Sequence, residues 1–213
     1  MLTVYGEGRG FRVVWLLEEL GVAYRLRPVD LLNVEKDADF LAINPGGFIP
    51  ALQDGETIMV ESIAILQYLL ARHGPSPIAV APDDPAFAAY LQFLHLGEAG
   101  LAGPMNAVFI GRQLAPDAER NARVTRWALA TFESRLGLVI QRLANHPFLA
   151  GDQFTAADIS VSYALLLGLR TSNYTPGSVE RAYLARTTSR PAYARAMESC
   201  VATKAWAAQS PSL

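Results

Sequence analysis

Apolar positions at the start of the chain first cluster in a short β-favouring run and then recur at helical spacing. Leu2 to Tyr5 is the run, and after the turn-prone Gly6-Glu7-Gly8-Arg9-Gly10 come Val13, Val14, Leu16, Leu17 and Leu20, with Glu18 and Glu19 between them. This predicts strand, loop, helix. Gly21 stands where a helix closes on a left-handed glycine, and Tyr24 to Val29 reads as a second strand, so the opening unit is βαβ with a parallel pair. A weaker helix is expected over Lys36 to Ile43. Phe48 to Leu52 and Thr57 to Val60 read as short strands joined at Asp54-Gly55, a strong hairpin signal. Ser62 to Arg72 then sets Ile63, Ile65, Leu66, Leu69 and Leu70 at helical spacing. The predicted order is βαβαββα.

The segment HGPSPIAVAPDDP carries four prolines between His73 and Pro85, each fixing φ and removing a backbone donor. It reads as a linker. Beyond it every periodic segment is helical: Pro85 to Glu98, Met105 to Leu114, Pro116 to Leu143, Thr155 to Leu169, Ser178 to Arg186 and Pro191 to Ala208. The expected class is therefore α/β plus all-α, with a first domain at residues 1–74, a linker at 75–84 and an all-helical domain at 85–213. A length of 213 residues leaves room for two modest cores.

Composition narrows the partners. Half the residues are apolar and 18% are charged, as in a packed globular chain. A formal net charge of -2 offers no basic surface for nucleic acid or an anionic membrane. No apolar run reaches the roughly 20 residues of a membrane span, and the N-terminus lacks a secretory pattern, so a cytoplasmic location is expected. The single cysteine, Cys200, cannot form an internal disulfide or a CxxC redox pair and reads as a small buried apolar residue. His73, His95 and His146 have no further ligand at metal-binding spacing, so no metal is expected.

Two places could bind a small molecule. In Asn44-Pro45-Gly46-Gly47-Phe48-Ile49-Pro50-Ala51-Leu52, a proline entering the strand, directly before apolar Ala51 and Leu52, is either an ordinary trans edge proline or follows a cis peptide that turns the Ile49 N–H and C=O outward, where they can pair with an extended peptide. In Val60-Glu61-Ser62-Ile63, the Ser62 hydroxyl and the first helix amides suit a carboxylate while Glu61 suits an ammonium; a plain N-cap explains the same residues. Thr155-Ala156-Ala157-Asp158 reads as a reciprocal capping box, a folding element.

These residues, in this order, resemble the cytosolic glutathione transferase superfamily. The resemblance is carried by Trp15-Leu16-Leu17-Glu18-Glu19-Leu20-Gly21, by the Asn44-Pro45 to Leu52 segment, by Glu61-Ser62 before a long helix, and by Phe148-Leu149-Ala150-Gly151-Asp152-Gln153-Phe154-Thr155-Ala156-Ala157-Asp158. It implies a thioredoxin-like N-terminal domain, a helical C-terminal domain and a homodimer. It further implies a cis Pro50, with Phe48, Ile49 and Pro50 at the cysteinyl unit of glutathione and Glu61 with Ser62 at its γ-glutamyl head. The implied activity is conjugation of the glutathione thiolate to a small hydrophobic electrophile. Isomerisation, dehalogenation or peroxide reduction using the same thiol, or a non-catalytic binding module, are the alternatives.

The enzyme would have to stabilise S⁻, because a thiol of pKa near 8.5 is mostly protonated at neutral pH. Related families place a serine, cysteine or tyrosine donor at the end of the first strand or the start of the next helix. This chain has Glu7-Gly8-Arg9-Gly10 where the serine and cysteine types carry theirs. The candidates are the Tyr5 phenol and the Arg9 charge, the latter assisted by amides near Gly10 and Phe11. For the electrophile, Met105, Phe109, Arg112 and Tyr163 are spaced to form a pocket, with a packed core as the simpler reading. Tyr90, Phe93 and His95 lie on the first long helix of that half, where relatives often dimerise.

Overall fold

The computed structural model describes residues 1–116, 119–120, 122–172 and 174–208. They fall into two compact units, one containing residues 1–76 together with the last two helices, the other Pro77–Thr188.

The first unit is built on four strands, β1 (Leu2–Tyr5), β2 (Tyr24–Arg27), β3 (Ala51–Asp54) and β4 (Thr57–Val60), in the order β2-β1-β3-β4. β1 and β2 are parallel and the remaining pairs antiparallel. β2 stops before Pro28, which has no amide to give to a ladder. Helix α1 (Gly10–Leu20) ends at Gly21 in the left-handed region, as its sequence predicts, and α3 (Ser62–Arg72) follows the hairpin. Side chains alternate across the sheet. Val4 and Leu52 are fully buried together with Val13, Val14, Leu16 and Leu17 of α1 and Ile65, Leu66 and Leu69 of α3. Tyr5 and Ala51 take the opposite direction and pack with Phe40 of α2 (Ala38–Ile43).

The predicted strand from Phe48 begins only at Ala51. Pro50 lacks the donor a ladder needs, and the residues before it are folded into a loop by Asn44, whose Nδ2 donates to the Phe48 carbonyl at 2.6 Å while its Oδ1 accepts from the Gly46 amide at 3.1 Å. The Ile49–Pro50 peptide is cis.

The second unit holds α4 (Phe87–His95), α5 (Gly103–Phe109), α6 (Arg123–Leu143), α7 (Ala156–Thr171) and α8 (Ser178–Thr188). The two helices predicted between Pro85 and Leu114 run together through a wide i→i+5 turn at Leu96–Ala102, and a second such turn at Ile110–Leu114 ends the stretch. Pro104 cannot donate to an ordinary α turn, and the wider turn lets the chain pass it without breaking. The predicted start of α6 at Pro116 differs from the observed Arg123; residues 117, 118 and 121 of that stretch lie outside the described residues. The Thr155–Asp158 capping box opens α7.

The helix expected from Pro191 to Ala208 is broken at Cys200 into α9 (Pro191–Ser199) and α10 (Val201–Ala207). These two belong to the first unit although the sequence reading put them with the helical domain. Tyr193 packs its ring against Trp15 and Phe11 of α1, with centroids 4.9 and 5.6 Å apart. Arg190 holds Glu19 through two hydrogen bonds of 2.6 and 2.8 Å.

Candidate functional site

Three chain segments meet at one end of the sheet. Tyr5, the last residue of β1, pairs with Ala51, the first of β3, and Ala51 pairs in turn with Val60, the last of β4. That register brings the Gly6–Arg9 loop, the Ile49–Pro50 peptide and Glu61–Ser62 to the same edge. The contacts are close. A Cβ on Gly6 would lie 2.2 Å from the Ile49 Cγ2, one on Gly8 3.5 Å from the Ile49 Cδ1, and one on Gly10 3.4 Å from the Pro50 Cβ. Gly6 also has φ +82°, so both space and backbone demand glycine there. None of the backbone hydrogen bonds among the described residues uses the Ile49 N–H or C=O. Phe48 beside it is exposed.

Glu61 stands at the start of α3 with φ 70°, a left-handed conformation uncommon for a residue with a side chain, and it is exposed. Ser62 is nearly fully buried and its Oγ accepts a 3.2 Å hydrogen bond from Nη1 of Arg12. Arg12 is fully buried. Its guanidinium adds positive potential behind a helix N-terminus that already favours anions. Sequence reasoning missed this residue. The available signal is its position inside the apolar run Phe11 to Leu17, where a helix buried on all sides has nowhere exposed to put it.

The two catalytic candidates differ. Tyr5 is buried, and its hydroxyl donates to Gln53 Oε1 at 2.8 Å, while the Arg27 guanidinium sits 5.8 Å from its ring centroid. Its one proton is therefore already engaged. Arg9 is partly exposed in the loop as the residue before α1. The Gly10 and Phe11 amides, expected to assist, instead donate to the carbonyls of Glu7 and Gly8, both at 3.0 Å. The tight turn that starts α1 uses them.

In the helical unit, Met105 is fully buried, with its sulfur 3.5 Å from the Thr171 hydroxyl, and Tyr163 is buried as well. Both belong to the core of that unit, while Phe109 and Arg112 are partly exposed. Tyr90 and Phe93 are also core residues, and of the three on α4 only His95 is exposed. Burial pushes the Tyr90 phenol up to about 12.

Comparison with known proteins decides the family. The description "Glutathione S-transferase, N-terminal domain" matches residues 1–71. Glutathione S-transferase 3 of Zea mays is 33% identical over 171 residues, spanning 76% of this chain and 73% of that protein. The chain belongs to the glutathione S-transferase family. Among other members of the family, glutathione S-transferase GstB of Escherichia coli K12 is 28% identical over 169 residues, covering 76% and 80% of the two chains. A solved theta class glutathione S-transferase from Xanthomonas axonopodis pv. citri, with glutathione bound, is 29% identical with a TM-score of 0.78, covering 92% of this chain and 96% of that one. The glutathione transferase of Methylococcus capsulatus gives a TM-score of 0.82 at 26% identity over 95% of this chain and all of that one. The first unit is thus the thioredoxin-like half of a glutathione S-transferase and the second its helical half. Among the described residues no helix is long and apolar enough to cross a membrane.

Proposed function

We propose that this glutathione S-transferase binds glutathione along the sheet end described above and conjugates its thiolate to a small hydrophobic electrophile. The observation that supports this most is the meeting of three complementary features at one edge: the Ile49 backbone, the Glu61–Ser62 pair over buried Arg12, and the glycine-rich loop. The cysteinyl backbone pairs with the Ile49 N–H and C=O, beside Phe48 and Pro50. The α-carboxylate accepts from the Ser62 hydroxyl and the α3 amides, and the ammonium faces the Glu61 carboxylate. Arg12 donates to the Ser62 oxygen, which leaves the serine proton for the ligand.

The thiol then falls to the β1–α1 loop. Lowering its pKa by two units requires about 2.7 kcal/mol, within reach of one charge-assisted contact to sulfur, worth about 1.5 to 3 kcal/mol, and loop dipoles. Arg9 is the group we assign to this role, because Tyr5 would first have to surrender its bond to Gln53. The sulfur lone pair attacks the electrophilic carbon, a C–S bond forms, the leaving group departs with its electron pair, and the thiol proton goes to solvent. Phe109 and Arg112 remain our candidates on the electrophile side. We further place the enzyme in the cytoplasm as a homodimer, with detoxification as its role; a sedimentation mass of one chain would remove the dimer.

The test follows the ultraviolet thiolate band of bound glutathione against pH, together with turnover of 1-chloro-2,4-dinitrobenzene. The bound thiol is expected to ionise well below its free value. Arg9→Ala should raise that pKa and cut kcat/KM at least tenfold, while Tyr5→Phe costs less than about threefold. The reverse ranking would return the role to Tyr5, and an unshifted bound thiol would sink the conjugation mechanism.

A further inference from the structure

We propose that Glu7 is a positioning residue for the loop that receives the thiol, held there by the last helix of the chain. The inference rests on the glutathione-site reading above and concerns how that site keeps its shape. The Gly6–Gly10 loop has glycine at three of five positions, with φ +82° at Gly6 and +62° at Gly8. Such a segment has many conformations to lose and needs anchors. On one side it is anchored by the close packing on Ile49 and Pro50. The other anchor is the Glu7 carboxylate, which accepts the Ala202 amide at 3.2 Å on Oε1 and the Thr203 amide at 2.7 Å on Oε2.

These amides open α10, and Cys200, the residue that precedes the helix, gives them no side-chain acceptor. A residue 195 to 196 positions earlier in the chain does so instead. Bonds from a carboxylate to backbone amides are about twice as strong as neutral ones. Arg9 lies two residues further along the same loop. Releasing Glu7 would therefore let the loop, and the group that faces sulfur, wander by the small distances to which catalysis is most sensitive. Ile49, Glu61 and Ser62 hold the rest of glutathione from other segments and do not depend on this tie.

That division gives a signature. Loss of a negative charge near a thiolate, acting through space alone, would lower the thiol pKa. Loss of positioning raises it. In the full-length protein, Glu7→Gln and Glu7→Ala are expected to raise the pKa of bound glutathione and lower kcat with 1-chloro-2,4-dinitrobenzene by roughly fivefold or more, while the Kd of S-methylglutathione stays within about twofold. Ala202→Pro removes one of the two amides at a helix position that tolerates proline, and should act in the same direction. Combined with Glu7→Ala it should add nothing further. A thiol pKa that is unchanged or lowered, a Kd that rises by as large a factor as kcat falls, or an additive double variant would each overturn the proposal without touching the reading of the glutathione site. If Glu7→Ala does not fold, isosteric Glu7→Gln and Ala202→Pro carry the same comparison. A wild-type protein that binds neither glutathione nor S-methylglutathione would instead bring down the site reading, and this proposal with it.

Discussion

Asp158 shows how much a single buried carboxyl can organise. One oxygen accepts from the Leu149 amide and the Tyr183 hydroxyl, both at 3.0 Å, and the other from the Thr155 amide at 2.8 Å and the Thr155 hydroxyl at 3.3 Å. Burial nevertheless pushes its pKa up to about 6, against the pull of those donors. Because the folded value exceeds the ordinary one near 3.9, its stabilising contribution is complete below about pH 4 and fades as pH rises through 6. Asp158→Asn removes this titration. The gap in urea unfolding free energy between wild type and Asp158→Asn should therefore be larger at pH 5 than at pH 7.5, by about 1 kcal/mol. A gap that widens with rising pH would show the opposite shift.

Among the elements, α1, α3, the hairpin and the capping box were legible because each follows from local period, a turn residue or a cap. The start of β3 was not, because the Asn44 clasp on Phe48 is a side-chain contact that periodicity does not encode. The candidate site divides in the same way. Glu61 and Ser62 follow a strand whose end the pattern locates, and Ile49 and Pro50 were marked by a proline where a strand was expected, whereas the Glu7 contact to α10 joins positions that only the tertiary fold brings together. Tyr5 was a candidate because it ends the first strand, as the donor of tyrosine-type relatives does; that alternation across the sheet packs it on Phe40, with its hydroxyl on Gln53, is a contact the strand pattern does not show. The wide turn after α4 was likewise invisible. It depends on Gly97, where a Cβ would lie 2.3 Å from Ser160 Oγ and 2.7 Å from the Ser160 carbonyl carbon, and on Ser160 itself, whose hydroxyl donates to the Leu94 carbonyl at 2.8 Å. Backbone there cannot yield as a flexible side chain could. Gly97→Ala should cost about 1 to 3 kcal/mol in chemical unfolding, whereas Gly137→Ala, at an exposed position inside α6 where an added Cβ meets nothing within 4 Å, should stabilise by about 0.5 to 1 kcal/mol.

At the scale of the molecule, the first unit is discontinuous: its sheet and α1 come from the beginning of the chain and α9 and α10 from the end. The Glu19 carboxylate that binds Arg190 also accepts from the Trp15 indole at 3.1 Å, and its side chain is only 8% exposed. Removing the partner of so buried a carboxylate costs more than loss of a surface pair. Arg190→Ala is expected to lower unfolding free energy by about 2 kcal/mol or more, and to expose Trp15 to acrylamide quenching as α9 loosens. Unchanged quenching and stability would mean that ring packing with Tyr193 and the Arg195 contacts to Glu18, at 2.7 and 2.8 Å, hold α9 without Arg190.

The same discontinuity bears on synthesis. Polypeptides leave the ribosome from their N-terminus, and domains commonly fold as they emerge. Here the half that is translated first is completed last, since Tyr193 and Arg190 arrive after the entire helical unit has been made. Until then the nascent chain must carry Phe11 and Trp15 without their final cover, an interval in which a chaperone would find its natural target.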